Sequence, residues 1–407
     1  MSIPSAPSAG LTTPAQATTP RAALAVVFVA LSIDLLVYGI AVPVLPRLAA
    51  VTDAGPSAAG LLFACYAAAL IAVTPLVGWW VDRAGPRGPL LAGLLGLSVT
   101  TAVFTVGGPL GLLIAARLAQ GVAAALSWVA GLALIAAVTP LAQRGRNMGL
   151  VLSGVSVGTL LGPLVGGLLA DHLGTAAPFL FAATVATGAG ILQLLLIRPT
   201  PAPTDDPGTI GAVLRVRGAW PATVIVLLGA GVLAVLEPVL PLRLAASGVS
   251  SSLIGVMFAT AVLAAALVTP WAGSLVTRIQ PAAPVMAGIL LGAAALLVLA
   301  HTHTTGVILI AMAALGAASA LLLGSIMPVL STLGEQTTPP TLGAVFALAN
   351  LAYATGLLLG PGSSGPLTSA TSYPAAITLT AAATLLIGVP SAVCLSRATP
   401  QPQSLAT

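Results

Sequence analysis

The chain is 407 residues long, 58% hydrophobic and 5% charged, with thirteen basic side chains, every one an arginine, set against eight carboxylates for a net charge of +5. A water-facing surface ordinarily needs about a quarter of its residues charged, so the solvent for most of this chain is lipid. The arginines are scattered through short loops and form no basic patch, which excludes a nucleic-acid partner.

The opening residues, rich in Ser, Thr, Pro and Ala, have neither a basic start nor an apolar stretch. Residues 1–21 therefore read as a disordered cytoplasmic tail and not as a signal peptide. Crossing the hydrocarbon takes about 20 mostly apolar residues. Runs of that length are predicted at 22–45, 57–80, 89–107, 109–138, 147–170, 176–197, 219–244, 252–276, 284–300, 304–330, 341–364 and 372–394. The third and fourth are parted only by Gly107, Gly108 and Pro109, but joined they are too long for one crossing. The longest internal polar interval, 198–218, carries Pro199, Pro201, Pro203, Asp205, Asp206 and Pro207. It is expected to be a cytoplasmic linker between two six-span halves, 22–197 and 219–394, with 395–407 as a second cytoplasmic tail.

Loop charge orients these spans, because positive residues stay on the cytoplasmic side. With the N-terminus inside, the cytoplasmic segments hold Arg21, Arg83, Arg87, Arg144, Arg146, Arg198, Arg215, Arg217, Arg278 and Arg397, and the outer loops hold only Arg47 and Arg243. A miscount by one span would scramble that asymmetry. Both termini are thus expected in the cytoplasm of a multi-pass protein. The Arg-, Ala- and Gly-rich composition suggests a GC-rich bacterial genome and hence the bacterial inner membrane as the cell membrane in question.

The halves repeat each other. Gly60 to Arg83, GLLFACYAAALIAVTPLVGWWVDR, matches Gly255 to Arg278, GVMFATAVLAAALVTPWAGSLVTR, and the same shift carries Pro43 and Pro46 onto Pro238 and Pro241. Three further residues of shift bring GTLLGPLVGG at Gly158 onto GLLLGPGSSG at Gly356. Matching Gly and Pro positions argue for real duplication, since Ala/Leu helices match by chance and these positions do not.

Within this frame a few residues carry chemistry. Asp34 falls about 18 Å into the first span, near mid-membrane, where a lone carboxylate is costly unless protonated, paired or hydrated. It suits proton or cation exchange; a helix-packing carboxyl kept neutral is the competing reading. Arg117 lies within the fourth span, either as working machinery or snorkelling to the outer headgroups from about 12 Å in. Glu237 precedes Pro238 in the outer half of the seventh span, where it is expected to meet headgroup water. Gly158, Gly162, Pro163, Gly166 and Gly167 in the fifth span combine an expected bend at Gly162-Pro163 with a flat face for close packing. In GWWVDRAGPR, Gly78 and Gly85 permit a turn and close helix approach, and Asp82 can pair with arginine or cap a helix.

Several absences narrow the function. Cys65 and Cys394 lie in apolar runs far apart and read as small buried side chains. His301 and His303 sit in a short outer loop and His172 beside Asp171, all as surface residues, so no metal is expected. Without a Walker sequence or a nucleophile and base pair, neither ATP coupling, enzyme chemistry nor any cofactor is expected.

The loop motif of Gly78, Asp82, Arg83, Gly85 and Arg87 resembles the signature of the major facilitator superfamily, where it latches the cytoplasmic face. RLAQGVAAALSWVAG from Arg117 resembles the fourth-helix motif of proton-driven exporters, and GVSVGTLLGPLVGG resembles the antiporter motif of the fifth helix. SIDLLVYGIAVPVLP, LEPVLP and GAVFALANLAYATGLLLGP resemble vesicular monoamine transporters and their bacterial relatives in the drug/proton antiporter group. The resemblance runs from Ala23 to Cys394 and implies an all-α membrane protein of twelve transmembrane helices in two six-helix repeats.

It further implies a proton-coupled antiporter exporting lipophilic, cationic compounds by alternating access. Proton coupling would fall to Asp34, Arg117 and Glu237, and substrate contacts to Asp34, Tyr38, Tyr66, Trp128, Glu237, Phe346, Asn350 and Tyr353. The expected partners are a small-molecule substrate, protons and the lipid bilayer, and a monomer is expected. Departures stand out: Tyr66 replaces the family's second-span lysine, Asn350 its eleventh-span acid, Leu35 an asparagine, and Thr277 the acid in the second copy of the loop motif. Joint loss of the lysine and the acid fits two residues that face each other. Glu335 matches an acid of the tenth span but equally suits a helix end. Competing functions are a proton-coupled carrier of neutral sugars or small metabolites, and a membrane sensor or scaffold without transport.

Overall fold

In a computed structural model of the chain, residues 18–199, 210–276, 278–336 and 342–398 are described. Most of both expected tails, the central part of the linker and Thr277 lie outside them. The elements are α1 Pro20–Val44, a 3-10 turn Leu45–Arg47, α2 Ala49–Ala84, α3 Arg87–Val106, α4 Leu110–Val138, α5 Leu141–Leu173, α6 Ala176–Leu196, α7 Ile210–Leu214, α8 Ala219–Ala234, α9 Val239–Ala246, α10 Ser251–Leu275, α11 Ala282–His301, α12 Thr305–Glu335, α13 Leu342–Ala370 and α14 Tyr373–Ala398. No strand occurs among the described residues. Lipid offers no hydrogen bonds, so a spanning chain satisfies its amides within helices.

Eleven described helical spans are long and apolar enough to cross a membrane, with α8 and α9 counted as one, and α13 with its 29 residues supplies the twelfth crossing. Local signals set the boundaries. Thr19 accepts the Ala22 N–H at 3.3 Å and Pro20 opens α1; Ser250 accepts the Leu253 N–H at 3.2 Å and opens α10. Gly107 and Gly108 have φ of 69° and 129°, which ends α3 and separates it from α4 as the sequence led us to expect. Gly55, at φ 77°, breaks α2 just before Pro56.

The seventh span departs from the expected single helix. It divides at Val235–Pro238 into α8 and α9, because Pro238 has no N–H to donate and Pro241 lacks one a turn later. Glu237 occupies the break. The expected linker contains the five-residue helix α7. Helix α5 stays helical through Gly162 and Pro163.

Packing follows the internal repeat. In the first half α5 lies on α1 and α4 on α2; in the second α13 lies on α8 and α12 on α10. The halves meet through α5 with α10 and through α2 with α13, equivalent pairs under the repeat. Hydrogen bonds between the halves, such as those of Tyr38 with Glu237, Ser57 with Ser369 and Asp171 with Ser251 and Ser252, run from mid-span toward the end bearing the α1–α2 and α5–α6 turns. This sealed end is the outer face in the expected orientation. Long apolar side chains such as Leu195, Leu267 and Leu386 remain exposed on the flanks, which suits lipid as the neighbour. Cys65 is buried, but Cys394 is exposed on α14, against the expectation that both are buried.

Candidate functional site

Asp34 sits at the centre of α1 with 0% exposure. Its carboxylate accepts the Tyr66 hydroxyl at 3.1 and 3.0 Å and the Trp128 Nε1–H at 2.8 Å. Those donors come from α2 and α4, so three helices of the first half converge on one charge. Trp128, expected among the substrate contacts, therefore acts as a hydrogen-bond donor here. Without such donors a buried carboxylate would pay several kcal/mol of desolvation.

The position of α1 depends on the glycines of α5. A Cβ on Gly158 would strike the Ser32 carbonyl oxygen, one on Gly162 would stand 2.8 Å from the Leu36 oxygen, and one on Gly166 2.9 Å from the Ile40 Cα. Four-residue spacing puts these glycines on one helix face, and the α1 backbone on either side of Asp34 rests in the groove they leave.

Glu237 lies across the interface. Against the expectation of headgroup water it is only 8% exposed, and its Oε2 accepts the Tyr38 hydroxyl at 2.5 Å. The α8–α9 break turns this carboxylate into the protein, toward α1. Tyr38 stands one helical turn from Asp34 and packs against Tyr66, ring centroids 5.0 Å apart. The two acids are thus linked through adjoining tyrosines, Asp34 to Tyr66 and Glu237 to Tyr38. Tyr353, half-buried on α13, lies within Coulombic reach of Glu237 and Tyr66.

Arg117 is 1% exposed, so its guanidinium does not snorkel to the headgroups. Its Nη1–H donates to Gln120 Oε1 at 3.1 Å, and Gln120 Nε2–H donates to Thr101 at 3.0 Å. The rings of Phe63, Phe104 and Tyr38 surround it at 5.2, 5.8 and 5.9 Å, and its Nε and Nη2 have no hydrogen-bond partner. It lies within Coulombic reach of Asp34 and Glu237 but bonds to neither. Gln120 was not singled out from the sequence, although a polar residue three positions beyond Arg117 in an apolar span is the signal that would have found it. Thr101, on another helix, carries no such signal.

Other expected members fall outside this cluster. Asn350 is exposed on α13, and Tyr66 bonds to Asp34, so the two substituted positions do not pair. The side chain of Phe346 lies outside the described residues. In the loop motif, Gly85 at φ 75° makes the turn between α2 and α3, whereas a Cβ on Gly78 would meet nothing within 4 Å, so no close helix approach uses it. Asp82 is exposed and has no ion pair among the described residues, Arg83 stacks on Trp79 at 4.0 Å, and Arg87 opens α3. His172, His301 and His303 are exposed, and His303 meets Arg243 at 3.1 Å. Glu335 ends α12 in an exposed position.

Comparison with known proteins places this arrangement. The chain is 29% identical over 324 residues to the human chromaffin granule amine transporter, an alignment covering 77% of this chain and 61% of that protein. It thus spans about three-fifths of that relative's length. Multidrug resistance protein 1 of Bacillus subtilis (strain 168) is 33% identical over 175 residues, covering 43% of this chain and 45% of that one. The fold superposes with a TM-score of 0.79 at 16% identity on a bacterial homolog of the human lysosomal transporter Spinster, over 93% of this chain and 96% of that one. The model of the Major Facilitator Superfamily matches residues 27–320 and 219–407, which together take in the spanning helices except the first turns of α1. This multi-pass membrane protein belongs to the Major Facilitator Superfamily.

Proposed function

We propose that this chain is a proton-coupled antiporter that exports lipophilic cationic compounds, drugs or amines, by alternating access across the bacterial cell membrane, with both termini in the cytoplasm. The observation that carries the reading is the charge balance of the interior. Asp34 and Glu237 are buried on facing halves with neutral donors alone, while the nearby arginine bonds to neither. With both acids ionised the cluster holds two negative charges and one positive, so one cation or one proton completes it. A cationic substrate and protons then compete for the same carboxylates, which is the linkage an antiporter requires. The rings of Tyr38, Tyr66 and Trp128 supply aromatic faces for the rest of such a molecule.

Relatives named as amine and multidrug transporters support the substrate class. In this reading the bonds at the sealed end close the outer face, and the site is reached from the cytoplasm. The loop of Gly78, Asp82, Arg83, Gly85 and Arg87 latches the cytoplasmic end in the opposite state. The glycines of α5, from Gly158 to Gly167, seat α1 so closely that leakage beside Asp34 is suppressed. A monomer suffices, because each chain contains both halves of the path.

The test is efflux of ethidium from inverted vesicles under an imposed pH gradient, for wild type and Asp34→Asn. Gradient-driven movement that the substitution abolishes is the expected result. Dye movement indifferent to both gradient and substitution would sink the proposal, and gradient-driven movement of a neutral sugar instead would favour the carrier of neutral solutes.

A further inference from the structure

The sealed end contains a second polar cluster that the charge exchange does not use. Asp171, in the last turn of α5, accepts the Ser251 N–H on Oδ1 at 3.1 Å and the Ser252 N–H on Oδ2 at 2.7 Å. These are the first two amides of α10, in the other half, donors that a helix cannot satisfy within itself and that carry the positive end of its dipole. Ser250 already caps the Leu253 amide, so Asp171 completes the cap from across the interface. Arg47 adds an ion pair to the same carboxylate at 3.0 Å.

The backbones beneath are in direct contact. A Cβ on Gly167 would strike the Ser251 carbonyl oxygen, and one on Gly255 would strike that of Pro163. The Ser251 hydroxyl reaches the Pro43 carbonyl at 3.3 Å, tying α1 to the same point. Little sliding is possible there, so the two helices are either seated or apart.

The internal repeat builds this contact twice. The shift that takes Gly158 onto Gly356 takes Asp171 onto Ser369, and the shift that takes Gly60 onto Gly255 takes Ser57 onto Ser252. Ser369 and Ser57 do meet: the Ser57 N–H donates to Ser369 Oγ at 3.1 Å and the hydroxyls lie 2.8 Å apart. Here too a Cβ on Gly60 would stand 2.5 Å from the Pro361 oxygen. One cap is a carboxylate with two amides and an arginine; its counterpart is a single neutral hydroxyl. Charge-assisted hydrogen bonds are roughly twice as strong as neutral ones.

We propose that Asp171 with the N-terminus of α10, and Ser369 with the start of the α2 segment that follows the break at Gly55, form a pair of clasps of unequal strength that hold the sealed end shut and must release for it to open. The inference rests on the alternating-access reading above. The strong clasp sets the population of the sealed state, and the weak one opens readily once the first has gone. Asp171 is a positioning residue that touches no substrate.

The test exchanges the two caps. Spin labels on Thr175→Cys and Thr305→Cys, with Cys65→Ala and Cys394→Ala, report the distance across this end of the full chain in lipid nanodiscs, with and without ethidium and at high and low pH. Asp171→Ser reduces the strong clasp to the weak one and should raise the open population roughly tenfold, the loss expected for charge-assisted bonds. Ser369→Asp should lower that population several-fold, and Arg47→Gln should raise it less than Asp171→Ser. Should Asp171→Ser fail to fold, Asp171→Asn and Ser369→Asp still shift the ratio in opposite directions if the inference is right. If wild type samples two distances and neither clasp substitution changes their ratio, the clasps are overturned while alternating access stands. A single distance for wild type under every condition would overturn alternating access itself, and the clasps with it.

Discussion

Gly158→Ala is the smallest substitution that separates a built interface from an incidental one. Its Cβ would strike the Ser32 carbonyl oxygen and stand 2.8 Å from that carbonyl carbon and 3.0 Å from Leu35 Cβ. Carbon atoms settle at about 3.5–4.0 Å, so α1 must retreat by roughly 1 Å. Backbone cannot yield as a flexible side chain does, and overpacking of this kind costs about 1–3 kcal/mol. The displaced residues Ser32 and Leu35 lie two positions and one position from Asp34, whose bond to Trp128 is 2.8 Å long; a further ~1 Å takes it beyond hydrogen-bond range. Gly149→Ala is the control on the same helix, because its Cβ would meet nothing within 4 Å. There the exchange should be neutral or stabilise by about 0.5–1 kcal/mol through helix propensity. Thermal unfolding in detergent, followed by tryptophan fluorescence, should show Gly158→Ala melting lower and Gly149→Ala unchanged or higher, with gradient-driven efflux lost only in the first. Equal behaviour of the two variants would refute the argument that α1 is seated on the α5 glycines.

Trp128→Phe keeps the ring but removes the N–H that Asp34 accepts, a bond to a charged group worth about 1.5–3 kcal/mol. Ethidium efflux should fall by about tenfold or more with the fold intact; wild-type efflux would show the bond to be dispensable. Arg117→Met replaces an arginine lacking partners at Nε and Nη2 with an apolar side chain. Thermal stability should fall by about 3–5 kcal/mol, because two buried carboxylates lose the cation near them, and efflux should be abolished; an unchanged or higher melting temperature would mean that the charge does not stabilise the fold. Arg243→Gln removes bonds to the Leu299 and Thr302 carbonyls at 3.0 and 2.8 Å and the contact with the Tyr373 ring. It should destabilise by about 1–3 kcal/mol and leave the concentration dependence of efflux unaltered, because this staple joins α9 to the α11 and α14 region and bonds to none of the residues around Asp34.

Much of this architecture is written in local signals. Hydropathy runs give the spans because lipid cannot satisfy a bare backbone, and Gly107, Gly108 and Pro109 separate α3 from α4 by their own dihedral preferences. The buried charges were legible one at a time, since Asp34 and Arg117 are conspicuous in apolar surroundings. Their partners were less so. Tyr66 and Asn350 look like a matched pair of substitutions in sequence, yet Tyr66 turns to Asp34. Glu237 looked accessible to headgroup water because a continuous helix would have carried it there, and the break at Val235–Pro238 instead turns it onto Tyr38.

The sequence by itself determines where the chain crosses the membrane, that its halves are copies, and which few residues are too costly to bury without purpose. These follow from transfer free energy and from backbone preferences, which act over one helix at a time. Which charge meets which donor depends on how closely helices approach, and that is settled by contacts between segments remote in the chain. The approach of α5 to α1 seats Asp34, and the same helix carries Asp171 to the first amides of α10. The glycine face of α5 shows within its own span that a close packing partner exists, but which backbone fills it, and which amides Asp171 reaches, is decided only where two remote segments meet.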